Sequence, residues 1–261
     1  MTQKLIKTIT HFTNYERGFM SENMPVRWDE KLAESAKEVA KLERPALSQI
    51  SLRAGMMTYQ KQPVPGNKLL VVIVASCFEN KLFKGKFDPN KYEAPSCYAL
   101  SLTGEGMVPH EDAAHKESEV CETCEQNKWG SAGGGSKGKA CKQVRRLAII
   151  PAAALKDGNV ATAELAVISI PVTSARNWAN YVNTISAEHQ RPPWGMLTEI
   201  RTVPDAKTQF QVQFEAKGIV TEEYLGAIYK RIDPAAQVLL TPYDDSGVVA
   251  QAPDPLPNRK Y

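Results

Sequence analysis

The spacing of apolar residues changes character several times along the chain. Residues 1–28 show no clear period, and then "WDEKLAESAKEVAKLERP" reads as a helix. Asp29 can cap it, Leu32, Ala36 and Val39 fall on one face, and Pro45 ends it, which predicts a helical extension over residues 1–45. From Gln49 the period shortens to two: Ile50, Leu52 and Ala54 alternate with Ser51, Arg53 and Gly55. "PVPGN" punctuates, and "KLLVVIVASCF" follows as a buried central strand. "CYALSLTGE" predicts a further strand closed by Gly104 and Gly106. Val108 to Lys142 has no apolar period, so something other than a core must hold it.

Beyond that stretch "RRLAIIPA" and "AELAVISIP" predict two strands joined by a turn at Asp157-Gly158-Asn159. "SARNWANYVNTISAEH" predicts a helix with Trp178, Tyr181, Val182 and Ile185 on one face. In "LTEIRTVPDAKTQFQVQFEAKG", Phe210, Val212 and Phe214 alternate with glutamines after Pro204-Asp205, a hairpin pattern. "TEEYLGAIYKRI" is a last helix with Thr221 as N-cap and Glu222 and Glu223 in its first turn. The segment 241–261 carries four prolines and few large apolar residues, which predicts a mobile tail. Short strands without regular strand–helix alternation predict an α+β, mainly β domain over residues 46–240, compact or closed into a barrel, rather than a doubly wound sheet.

Composition changes this picture little. The 261 residues are 43% hydrophobic and 23% charged, with a net charge of +3, so partner arguments must rest on local charge. No apolar run approaches the roughly 18 residues of a membrane span, and no apolar signal core opens the chain, so neither a membrane nor export is expected. Five cysteines without a secretory context favour metal binding or free thiols over a disulfide framework.

Three of those cysteines carry chemistry. Cys121 and Cys124 form a C-x2-C knuckle, and Cys141 follows after sixteen residues. A tight turn aims two thiolates at one tetrahedral ion, which points to a structural zinc closed by four protein ligands. The spacing leaves the fourth ligand open among Cys97, His110 and His115. A redox pair is the rival reading, but the helix-opening context of such motifs is missing. Cys77, inside the most apolar strand, reads as a core thiol.

Between the second and third thiols lies "EQNKWGSAGGGSKGKA", too rich in glycine to order itself, so a metal at both ends would restrain it. Lys137, Lys139, Lys142, Arg145 and Arg146 supply five cations in ten residues. Glycine interleaved with lysine suits close approach to phosphates, and Trp129 and Tyr98 are candidates for base stacking. The plainer alternative is a solvated basic loop that balances the acidic stretch Glu111 to Glu125. Neither a Walker A order nor a dinucleotide fingerprint occurs, and no catalytic carboxylate or Ser/His/Asp set stands out, so an enzyme is not expected.

Three segments together resemble a family of phage-encoded proteins described as single-stranded DNA-binding. They are "LLVVIVASCFENKLFKGKFDPNKYEAPSCYALS", "CETCEQNKWGSAGGGSKGKACKQVRRLAII" and "LTEIRTVPDAKTQFQVQFEAKGIVTEEYLGAI". The likeness runs from about Ile50 to Ala236 and is most specific in the cysteine region. It implies Cys97 as the fourth ligand beside Cys121, Cys124 and Cys141, and an OB-like antiparallel barrel with a zinc-bearing insertion over about residues 97–142 and peripheral helices. It implies single-stranded DNA as partner, phage replication proteins as further partners, and the cytoplasm of the infected bacterial host as the setting. A groove would track the backbone with Arg53, Lys137, Lys139, Lys142, Arg145 and Arg146. Bases would stack on some of Tyr59, Phe83, Tyr92, Tyr98 and Trp129. Such binding would weaken with salt and show no strong sequence preference. The chain departs from the acidic tails of many single-strand binders: it ends in Tyr261, but Arg259 and Lys260 stand where acids would. A zinc-stabilised protein-interaction module is the second expectation, and a metal-dependent nuclease the third.

Overall fold

A computed structural model describes residues 48–85 and 94–243, together with Trp28, Lys31, Leu32 and Ser35. The chain divides into two compact units, Met1–Ala46 and Leu47–Tyr261. In the first, the four described residues have helical backbone, within the stretch where a helix is predicted.

The second unit holds nine strands in one sheet: β1 (Ser48–Arg53), β2 (Met56–Tyr59), β3 (Gln62–Pro63), β4 (Lys68–Leu82), β5 (Cys97–Ser101), β6 (Lys142–Pro151), β7 (Ala166–Ile170), β8 (Met196–Asp205) and β9 (Gln209–Ile219). Helices α1 (Ala153–Lys156), α2 (Ala175–His189), α3 (Glu222–Tyr229) and α4 (Ile232–Leu239) accompany them. The strand order is β3-β2-β1-β7-β6-β4-β8-β9. The fifteen-residue β4 is the spine. β6 runs along one of its edges, while β8 pairs with Lys68–Val71 and β5 with Phe78–Leu82 on the other. All pairings are antiparallel except β1 with β7.

This is an α+β fold, mostly β, built on a curled open sheet. The expected barrel closure does not occur among the described residues, where β3 and β9 remain the two ends of the sheet. Curling nevertheless brings the ends of the sheet towards each other. The register of β4 shifts between Ile73 and Ala75, the Thr202 hydroxyl donates to the Gly55 carbonyl, and Phe210 packs on Gly55.

Side-chain alternation gives each face its own core. The inner face carries Val71, Ile73, Leu147, Ile149 and Ile168, packed against Trp178, Tyr181 and Ile185 of α2. The outer face carries Val72, Val74, Ala148 and Ile150 beneath Ile228 of α3 and Leu239 of α4. Each large apolar side chain so buried stabilises the fold by about 1.5–3 kcal/mol.

Four expectations need correction. The period-two pattern breaks at Ala54 and Gly55, where "SQISLRAGMMTYQ" forms a hairpin turned at Ala54 (φ 48°) and Gly55 (φ 82°), a left-handed pair of which only the glycine is free of strain. The β6–β7 connection contains α1 before its glycine turn, and a second C-terminal helix, α4, follows the predicted one. The first residues of the supposedly mobile tail are packed down: Arg146 Nη1 donates to the Thr241 carbonyl, and Tyr243 OH donates to Glu79 Oε1. The rest of that tail lies outside the described residues.

Candidate functional site

Sheet register assembles the thiols. Cys97 opens β5 opposite Leu82 of β4, while Lys142 opens β6 opposite Lys81, so Cys97 and Cys141 come to flank the same end of β4. The knuckle is fastened to that end by its backbone. Cys121 N–H donates to the Met107 carbonyl at 2.9 Å, Asn127 N–H to the Cys124 carbonyl at 3.0 Å, and Cys141 N–H to the Gln126 carbonyl at 2.8 Å. All four cysteines line one small cavity of about 20 Å³, with Asn80 and Leu82 in its wall. That space suits one ion or one water.

Burial pushes the Cys97, Cys121 and Cys141 thiols up, Cys141 to about 12, and the neighbouring sulfurs act in the same direction. A nearby cation would offset both the burial and the repulsion for these three thiols. Among the described residues no three His, Cys, Asp or Glu side chains converge to ligand distance. The donor set itself, four soft sulfurs around an ion-sized space, fits Zn2+. Neither histidine competes. His110 stacks on Tyr98 at 5.1 Å with Nδ1 3.2 Å from its hydroxyl, and exposed His115 does not line the cavity. Cys77 is a core thiol as expected, 3.7 Å from the Leu239 carbonyl, with its pKa raised to about 11 by burial.

Cys141 also lines a second space, an open groove of about 530 Å³ beside the start of β6. Its lining includes the apolar Leu52, Ile170, Pro171, Val172 and Phe210. It also includes Trp129, Lys139, Lys142 and Gln143. Lys81 is a third lysine in the lining, but its Nζ lies 3.4 Å from buried Glu79 Oε2; no Asp or Glu is among the lining residues. Trp129 is 79% exposed, and Lys139 Nζ sits 5.3 Å from its ring centroid.

The glycine loop orders itself more than its composition suggests. Gly130 and Ala132 N–H groups donate to the Gly138 carbonyl, and the Ser131 hydroxyl accepts from Ala140 N–H at 2.9 Å. Gly133, Gly134 and Gly135 all have positive φ, which accounts for three glycines in a row. Asn127 has the role that inspection of the sequence missed. Its Nδ2 donates to the Cys121 carbonyl at 2.8 Å, and its Oδ1 accepts from Lys139 Nζ at 3.1 Å. The asparagine three residues after the knuckle was the available signal.

Of the expected nucleic-acid residues, the fold brings Trp129, Lys139 and Lys142 together in the groove. Tyr98 and Arg146 are corrections. Both are at least 95% buried, on the outer face, where Tyr243 lies edge-on to Tyr98 at 5.0 Å and Arg146 sits 5.7 Å from the Tyr243 ring. Arg145 faces inward over the Phe78 ring at 3.5 Å, outside the groove lining. Tyr59 is half-buried against the inner core, and burial raises its pKa. Arg53 and Lys137 are exposed but line no part of the groove, as is Phe83. Tyr92 lies outside the described residues. Compared with known protein families, curated proteins and solved structures, the chain matches none of them. The phage-family resemblance therefore stands on the sequence motifs alone.

Proposed function

We propose that this protein is a non-catalytic single-stranded DNA-binding protein whose basic loop is ordered by a structural zinc. The observation that carries the reading is the groove itself: an exposed tryptophan with Lys139 and Lys142 among apolar lining residues, and no acid in the lining. Stacking on Trp129 and phosphate attraction to Lys139 and Lys142 are the two interactions that hold a single strand without reading its sequence. Cys97, Cys121, Cys124 and Cys141 would hold the ion, which supplies charge compensation and a fixed geometry for the thiols. Because Cys141 lines both spaces, a fixed sulfur there also fixes one edge of the groove. The motif resemblance supports an OB-like lineage and a role in phage replication or recombination inside an infected bacterium. Among the described residues no helix is long and apolar enough to cross a membrane.

The test is fluorescence anisotropy of a labelled dT oligonucleotide at several salt concentrations, with duplex of equal length as competitor. Binding that weakens with salt and is poorly competed by duplex supports the reading. No binding, or equal binding to duplex, overturns it in favour of a protein-docking role for the zinc loop.

A further inference from the structure

Proline sets an unusual feature of the groove wall. The ladder between β6 and β7 pairs Arg145 with Ile170. Continued by one step, it would set Pro171 opposite Val144, and a proline has no N–H to offer. β7 stops there, while β6 reaches back to Lys142, and among the described residues Lys142–Val144 pair only with β4 on their other side. This leaves a short strand edge with no second strand on it, where the Val144 carbonyl accepts from its neighbour Arg145 Nη1 at 3.3 Å, and its three residues all line the groove together with Trp129. Along such an edge backbone N–H donors and C=O acceptors alternate.

Each nucleobase has a donor and an acceptor side by side on its Watson–Crick edge, free only when the base is unpaired. We propose that the open edge of β6 at Lys142–Val144 pairs with the Watson–Crick edge of an unpaired base whose face lies on Trp129. Its flanking phosphates meet Lys139 and Lys142. The inference rests on the single-strand reading and names what the groove recognises. Selectivity against duplex then comes from hydrogen bonding, because a complementary strand engages the same groups. Tolerance of sequence follows too, since a main-chain edge offers both a donor and an acceptor to any base. Charge favours a nucleic acid over an extended peptide as occupant, because the residues lining the groove include Lys139 and Lys142 and no acid.

Full-length protein would be titrated with three labelled strands of equal length: dT, its N3-methylthymidine analogue, and an abasic strand. The methyl group keeps the ring face and the phosphate charge but removes the donor of the Watson–Crick edge. The expected result is binding of the methylated strand about tenfold weaker than dT, with the abasic strand weaker again and the salt slope unchanged. Equal affinity for methylated and unmodified strands overturns the edge pairing and leaves the single-strand reading standing. Failure of dT itself to bind overturns both.

Discussion

Asn127 and Trp129 show how much of the site depends on single side chains. Asn127 ties the knuckle to Lys139, and Lys139 in turn lies over the Trp129 ring. The ring is 79% exposed, so its removal costs the fold little. Trp129→Ala is expected to weaken dT binding by about 1–3 kcal/mol, the range for one stacked base, with the melting temperature unchanged. Tyr98→Ala should behave in the opposite way. Buried between His110 and Tyr243, it supports the outer face, and its loss should lower stability by about 3 kcal/mol or more. Thermal melts read beside anisotropy separate the two roles, and a Trp129→Ala protein that binds dT normally would remove the tryptophan from the site.

At the scale of elements, strand edges decide what the sheet exposes. β9 is an outer strand, yet its centre is not open. Ser174, fully buried just before α2, accepts a hydrogen bond from Val212 N–H at 2.8 Å, and Asn177 donates to the Val212 carbonyl at 2.9 Å. The start of α2 therefore caps the edge of β9 and docks the helix on the inner core at the same time. Ser174→Ala leaves a buried N–H unpaired, which costs about 1–3 kcal/mol. Urea denaturation is the measurement, and an unchanged midpoint would show that water replaces the hydroxyl. At β6 the opposite holds: Pro171 leaves an edge open, and that edge faces the groove. One edge is closed by a serine and an asparagine, the other kept free by a proline.

Over the whole molecule the thiol cavity and the two cores are separate. Neither core cluster includes Cys97, Cys121, Cys124 or Cys141. If the proposed zinc occupies the thiol cavity, a chelator is expected to abolish the proposed DNA binding while the sheet keeps its far-ultraviolet signature and a cooperative melt. Metal analysis should find one zinc per chain, and cobalt substitution should produce thiolate-to-metal absorption. Replacing Cys141 with serine should reproduce the chelated state. A chelated protein that binds dT as before would uncouple the metal from the groove.

The sequence alone determined most strands, because a period of two and a run such as "LLVVIVASCF" are local properties of the chain, although the break between β1 and β2 was not among them. It also exposed the knuckle, whose meaning lies in two residues of spacing, and the core helix α2, whose apolar face repeats every three to four residues. The tertiary structure decided which side of the sheet each residue serves. Arg145 and Arg146 are adjacent and equally cationic, yet alternation turns one over Phe78 on the inner face and buries the other beside Tyr243. Tyr98 stands beside Cys97 and Trp129 in the glycine loop, but strand pairing buries the first and the loop exposes the second. Cys97 joined the other thiols only once β4 had gathered β5 and β6 on its two edges. Burial is a property of what packs against a residue, and those partners are distant in the chain.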